Sequence, residues 1–298
     1  MGFAPYIEVE FADRDLALRQ VEEWAREGMV NVQVIYGPEG CGKSAWLKQS
    51  VELLRELGFD VIYVNPIEKE LVAETGVIDV KTRLAEILRE ATENTWIRVA
   101  WAMVDIAREI MKAGVRRIAV LADDVFQAIG LDKAAIYVKG LLGLIEYPPR
   151  PYDVVIAVAA TSEGLSRREI GRHRWAYTLA IWNMTKDGFK QLYEQLPGSK
   201  PDFEEAWKLT GGNPKLLGEL YKARWSEDKV LDMIMASKGL KNFVANLSNE
   251  ERAWLREAVE DPDTLFTRER MKLLSRLVEL NLVIDDVPYR KDYLWIDQ

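Results

Sequence analysis

The octapeptide Gly37-Pro38-Glu39-Gly40-Cys41-Gly42-Lys43-Ser44 fits the pattern G-x-x-x-x-G-K-[ST], and it restricts this chain more than any other segment. A loop of that pattern wraps main-chain N–H groups around anionic oxygens. Glycines at Gly37, Gly40 and Gly42 permit backbone angles that a side chain would forbid, while Pro38, Glu39 and Cys41 fill the remaining positions of the cradle. Lys43 is placed to reach the β- and γ-phosphates of a nucleoside triphosphate, and the Ser44 hydroxyl to ligate Mg²⁺. The flanks agree with this reading. Val30–Tyr36 is an apolar, β-branched run that predicts a strand leading into the loop. After it, Ala45, Leu47, Val51, Leu54 and Leu57 recur at helical spacing, so the loop opens a helix whose N-terminus, Lys43 to Ala45, attracts phosphate.

Composition narrows the alternatives. The chain has 298 residues, 48% hydrophobic and 30% charged, which fits roughly two globular domains with ample core. No apolar run approaches the ~20 residues needed to span a bilayer. Met1–Asp13 lacks a basic stretch followed by an apolar one, so no secretory signal is expected. The single cysteine, Cys41, excludes an internal disulfide and reads as a small filler in the loop; a reducing cytoplasm is the expected compartment. A formal charge of −8 argues against general affinity for nucleic acid or an anionic membrane surface.

Strand and helix patterns alternate over about the first 180 residues, which predicts an α/β domain with a parallel sheet flanked by helices on both faces. Phe59–Val64, Arg117–Ala122, Val154–Ala160 and Ala176–Ile181 read as further strands, with helices over Lys81–Glu93, Trp96–Ala113 and Asp132–Ile145. Beyond Trp182 the pattern is helical alone, and we expect a core at 1–182, a helical lid at 183–238 and a winged-helix domain at 239–298. In the lid, helices are expected at Lys186–Gln195, Phe203–Leu209 and Pro214–Trp225, followed by a charged hinge at Trp225–Asp228. Ser248-Asn249-Glu250-Glu251 is a capping box that launches one helix of the last domain. Arg268–Leu280 reads as another, and Leu282–Ile284 and Tyr293–Ile296 as the two strands of the wing.

Asp123 and Asp124 end an almost wholly apolar strand. At that place Asp123 would hold Mg²⁺ and Asp124 would orient and deprotonate the attacking water; the competing reading is a pair of helix N-caps. Thr161, ending the next strand, is positioned either to hold the attacking water or the γ-phosphate or to cap its strand. Arg167, Arg168, Arg172 and Arg174 crowd the loop that follows, and one of them would sense the γ-phosphate. His173 is the only histidine, so a multi-histidine metal site is excluded, and the residue reads as a surface one. Ten tryptophans spread from Trp24 to Trp295 read as core and domain-interface residues rather than a ligand cage.

Four segments, in order, resemble the archaeal P-loop ATPases related to the STAND class, within the AAA+-like branch. Phe11-Ala12-Asp13-Arg14 and the helix Leu16–Arg26 look like that family's F-x-x-R-x-x-x-L lead-in. Gly37–Ser44 is its Walker A loop, Val120–Phe126 is similar to its Walker B element, and Gly212-Asn213-Pro214 looks like its G-x-P lid motif. The resemblance implies ATP and Mg²⁺ as ligands, Pro214 near the adenine with Lys215 facing phosphate, and a winged helix after the lid. Asp124 stands where the family more often has glutamate, and no arginine-finger motif can be assigned. The function so implied is a cytoplasmic ATP-binding ATPase working as a nucleotide-controlled switch, with ATP bridging core and lid and with a protein partner or a second copy of the chain. A rival reading is an ATP-dependent DNA-binding protein of the origin-initiator type, supported by Arg268, Arg270, Lys272 and Arg276. Residues 239–298 hold nine Lys/Arg and twelve Asp/Glu, a net −3 that disfavours it.

Overall fold

The computed structural model describes residues 2–4, 7–90, 96–162, 169–171, 173–285 and 294–295. The chain divides into two compact units. The sheet unit holds Arg14–Gly37, Gly42–Trp182 and the C-terminal strand; the helical unit gathers the residues up to Asp13, Pro38–Cys41 and the chain from Asn183 through the last helices.

Two short antiparallel strands, β1 (Gly2–Ala4) and β2 (Ile7–Glu8), precede helix α1 (Asp15–Glu27). Then follow β3 (Val32–Tyr36), α2 (Lys43–Glu56), β4 (Asp60–Asn65), β5 (Glu70–Glu74), α3 (Ile78–Glu90) and α4 (Trp96–Lys112). The sheet unit continues with β6 (Arg117–Asp123), α5 (Val125–Ile129), α6 (Leu131–Glu146), β7 (Val154–Thr161), β8 (Ala176–Ile181) and finally β9 (Leu294–Trp295). Its seven strands run in the order β5-β4-β6-β7-β3-β8-β9, all parallel except β5, which returns antiparallel along β4. A strand covered on both faces must be apolar throughout, and β3 and β7 are buried at every position. Helices α1 and α2 form one covering layer and α3–α6 the other.

The order matters for the site. β6 and β7 insert between β3 and β4, so the chain leaves the loop strand, crosses over and returns three positions away. Crevices for ligands open at the C-terminal ends of parallel strands where such a reversal occurs. β5 was not expected from the sequence. Its Glu70-Leu71-Val72-Ala73-Glu74 has charged ends and no long apolar run, and it forms because Asn65 Oδ1 accepts the Ile67 and Glu68 N–H groups and turns the chain back.

In the helical unit, α7 (Lys186–Glu194), α8 (Phe203–Thr210) and α9 (Pro214–Lys222) enclose an apolar core of Val9, Met184, Phe189, Leu192, Leu196 and Leu217. α9 is shorter than expected, because Arg224 and Trp225 enter the left-handed region at φ 55° and 63° and close it. The expected charged hinge is instead the start of α10 (Glu227–Ser237). Next come α11 (Leu240–Ala245), α12 (Asn249–Glu260) and α13 (Met271–Glu279), around a second cluster built from Leu247, Leu265, Leu273, Leu274, Leu277 and Val278. The capping box forms, with the Ser248 hydroxyl accepting the Glu251 N–H at 3.0 Å and the Glu251 carboxylate accepting the Ser248 N–H at 2.8 Å.

Two expectations for this region fail. Residues 267–270 form a turn, so Arg268 and Arg270 precede α13 rather than lie on it. Leu282–Ile284 form no strand, and Leu294–Trp295 pairs in parallel with Ala180–Ile181 of β8 instead of closing a hairpin. An apolar pair at the chain end finds an open sheet edge beside β8 there. Residues 286–293, which would carry the turn of a wing, lie outside the described residues.

Candidate functional site

The cradle begins where β3 ends. Gly37 is buried, Gly40 has φ 78° and Gly42 φ 103°, whereas Gly37 is not left-handed, so positive φ is required at two of the three glycines. Gly42 forms the N-cap of α2, leaving the first N–H groups of that helix, from Lys43 to Ala45, without intrahelical acceptors. The Lys43 side chain is buried and its Nζ donates to the Gly37 carbonyl at 3.0 Å, folding back across the loop. Ser44 and Ala45 are half-buried in the first turn.

Register carries the other side chains to the same edge of the sheet. Tyr36 pairs with Thr161, and Ala160 pairs with Asp123, so the ends of β3, β7 and β6 are aligned beside the loop. Asp123 is fully buried, and its Oδ2 accepts the Tyr63 hydroxyl at 3.1 Å and the Asn65 Nδ2 at 3.2 Å. Among the described residues Oδ1 has no hydrogen-bond partner. Burial pushes the Asp123 carboxyl above the usual carboxylate range, against the pull of the Ser44 and Tyr63 hydroxyls and the Lys43 ammonium. Burial and the Asp123 charge hold the Tyr63 phenol above its own usual range.

An orphaned, buried carboxylate oxygen is costly unless something occupies it, and a hard cation is the partner that oxygen suits. Among the described residues no cluster of three His, Cys, Asp or Glu could hold a metal alone. Mg²⁺ bound through one carboxylate, a serine hydroxyl and substrate phosphates fits this donor set.

Asp124 adopts φ 48° at the N-cap position of α5 but makes no capping hydrogen bond, so the capping role is not what its carboxylate does. Aspartate tolerates this left-handed region better than most residues. Thr161 is buried at the end of β7. Of the four arginines, Arg174 is exposed in the turn before β8, and Arg167, Arg168 and Arg172 lie outside the described residues. His173 stacks on Trp175, ring centroids 4.1 Å apart, which gives it a structural role.

The loop tip, Pro38–Cys41, groups with the helical unit. Asn213 caps α9 through the Leu216 N–H and donates Nδ2 to the Glu39 carbonyl at 2.9 Å and to Asn183 Oδ1 at 3.1 Å. The Lys215 N–H donates to the Gly40 carbonyl at 3.3 Å, and a Cβ at Gly40 would overlap the Lys215 side chain. Lys215 Nζ bonds the Glu39 carboxylate at 2.6 Å, and Lys238 approaches it at 3.4 Å. The Lys215 hydrogen bond in particular holds the Glu39 carboxyl below its ordinary range. Lys215, expected to face phosphate, is thus engaged by the loop's own acid, beside a cavity of about 530 Å³ also bordered by Pro38, Met233 and Lys238. Pro214 occupies the first turn of α9.

Sequence reasoning missed Tyr63, Asn65 and Lys238, and it read Asn213 only as the middle residue of the G-x-P motif. One signal was available for Asn65: a polar residue ending an apolar strand, just before Pro66.

The strand order, the glycine loop opening α2 and the acid at the end of β6 define a P-loop α/β fold. Residues 11–220 match the model of an ATPase domain predominantly from Archaea, and the chain belongs to that family. Comparison with curated proteins gives no match. Among solved structures, the Aeropyrum pernix ORC2 protein, determined in ADPNP and ADP complexes, is similar over 95% of this chain and 90% of that one, at 17% identity and a TM-score of 0.46. The replication initiator DnaA bound to AMPPCP and single-stranded DNA is similar over 89% and 74%, at 18% identity and a TM-score of 0.42. AMPPCP-bound DnaA from Aquifex aeolicus covers 93% and 80%, at 16% identity and a TM-score of 0.43. Among the described residues no helix is long and apolar enough to cross a membrane.

Proposed function

We propose that this protein is a cytoplasmic, Mg²⁺-dependent ATP hydrolase that works as a nucleotide-controlled switch. The observation that carries this is the gathering of Asp123 and Thr161 at the C-terminal ends of β6 and β7 beside Lys43 and Ser44 at the start of α2, with one buried carboxylate oxygen of Asp123 lacking a hydrogen-bond partner among the described residues. Main-chain N–H groups of Gly37–Ala45 cradle the phosphates, and Lys43 exchanges its bond to the Gly37 carbonyl for the β- and γ-phosphate oxygens. Ser44 and Asp123 would hold the magnesium ion, which would supply positive charge to the reacting phosphates. Asp124 accepts the proton of the attacking water, and Thr161 orients that water or the γ-phosphate.

The switch reading is supported by the bonds of the loop tip. A loop that changes shape with its nucleotide pulls directly on α9 through Asn213 and Lys215, and on α10 through Lys238. Helices α11–α13, with an apolar core of their own, are the module we assign to output, received by a protein partner or a second copy of the chain. Pro214 and Lys215 are proposed as the lid side of the nucleotide contact.

Phosphate release tests the reading. Wild-type protein should release phosphate from ATP only with Mg²⁺, and Asp124→Asn should keep ATP affinity while turnover falls about 100-fold or more, the scale of a lost general base. Turnover unchanged in Asp124→Asn removes Asp124 from the mechanism.

A further inference from the structure

We propose that Tyr63 and Asn65 are positioning residues that tie down one carboxylate oxygen of Asp123 so that the other is presented to the divalent cation. This inference rests on the magnesium–nucleotide reading of the site and goes beyond it.

Both side chains come from β4 and reach across to β6, the neighbouring strand, and both donate to the same oxygen, Oδ2. Their donor atoms lie 3.1 and 3.2 Å from it, while Oδ1 of this fully buried side chain has no hydrogen-bond partner among the described residues. Half a turn about the Cβ–Cγ bond would only exchange two chemically equivalent oxygens and leave the arrangement unchanged. What the donors prevent is intermediate rotation.

Asn65 is itself locked. Its Oδ1 accepts the Ile67 and Glu68 N–H groups at 3.1 and 3.0 Å, so flipping the amide would sacrifice those two bonds as well as the one to Asp123. The amide can therefore offer Asp123 only its NH₂ group. Tyr63 is held by a second contact, since Lys48, one helical turn after Ser44 on α2, lies 5.9 Å from the centre of its ring. Lys48 is in turn anchored by Glu70 at 2.6 Å. The turn that begins β5 and the helix that carries Ser44 thus both support the pair that orients Asp123. Outer partners of this kind typically change metal affinity or activity 10- to 100-fold when removed.

Two variants separate this role from simple stabilisation. Tyr63→Phe deletes one hydroxyl, and Asn65→Asp keeps the turn acceptor while replacing the donor by an acceptor. Binding of a fluorescent ATP analogue is measured first in EDTA, then as a function of added Mg²⁺, with folding checked by circular dichroism. We expect wild-type affinity in EDTA for both, and a half-saturating Mg²⁺ concentration raised roughly 10-fold in Tyr63→Phe and more in Asn65→Asp. A folded Tyr63→Phe with the wild-type Mg²⁺ midpoint overturns the proposal and leaves the nucleotide reading standing. Wild-type protein that binds no nucleotide overturns both.

Discussion

Lys43 ends its side chain on the Gly37 carbonyl, a bond that a phosphate oxygen can replace. The ammonium is buried, so it must always have partners, and a polyphosphate offers better ones than a neutral carbonyl. Removing it discards a charge-assisted contact of about 1.5–3 kcal/mol. Lys43→Ala should therefore weaken ATP roughly 10- to 100-fold in calorimetry, and unchanged affinity would disprove the loop assignment. At the same scale, Lys43, Ser44 and Asp123 were legible because the chemistry of each is implied by its immediate neighbours in sequence. Tyr63 and Asn65 were not, since their partner Asp123 is 60 and 58 positions away and nothing local marks the pairing.

Helix α9 illustrates how an element is defined from both ends. Asn213 caps its N-terminus and Pro214 occupies the first turn, where a missing N–H costs nothing. Gly212 must be glycine, because a Cβ there would come within 2.7 Å of the Met184 carbonyl oxygen. The C-terminal stop could not be read: Arg224 and Trp225 turn left-handed because the Trp225 N–H closes onto the Leu220 carbonyl at 2.7 Å. Asn213 carries the element's stability and its link to the loop tip together. Asn213→Ala should cost the helical unit about 1–2 kcal/mol in denaturant unfolding followed by circular dichroism. Asn213→Asp, which keeps the capping oxygen and loses the donors, should cost less. Equal losses would show that the contact with the Glu39 carbonyl, not the cap, dominates.

Taken as a whole molecule, the chain carries a net charge of −8, and two of the arginines that would serve DNA binding, Arg270 and Arg276, are already engaged. Arg270 is paired with Glu257 at 2.6 Å and lies over Trp254, and Arg276 approaches Glu251 at 3.3 Å and lies over Phe243. A guanidinium held this way must break an internal contact before it can meet a DNA phosphate. We expect no retention of duplex DNA in a filter assay at low salt, with or without ATP; salt-dependent retention would restore the origin-initiator reading.

The sequence alone determined the phosphate loop, the apolar strands around it and the acid at the end of β6, because each depends on angles or periodicities spanning a few residues. Strand order, the β5 return, the partners of Asp123 and the capture of Lys215 by Glu39 were decided only in the folded chain. Those depend on which side chains meet across tens to hundreds of residues, as Glu39 and Lys215 do at a separation of 176. Such meetings are set by packing and register, which local sequence does not encode.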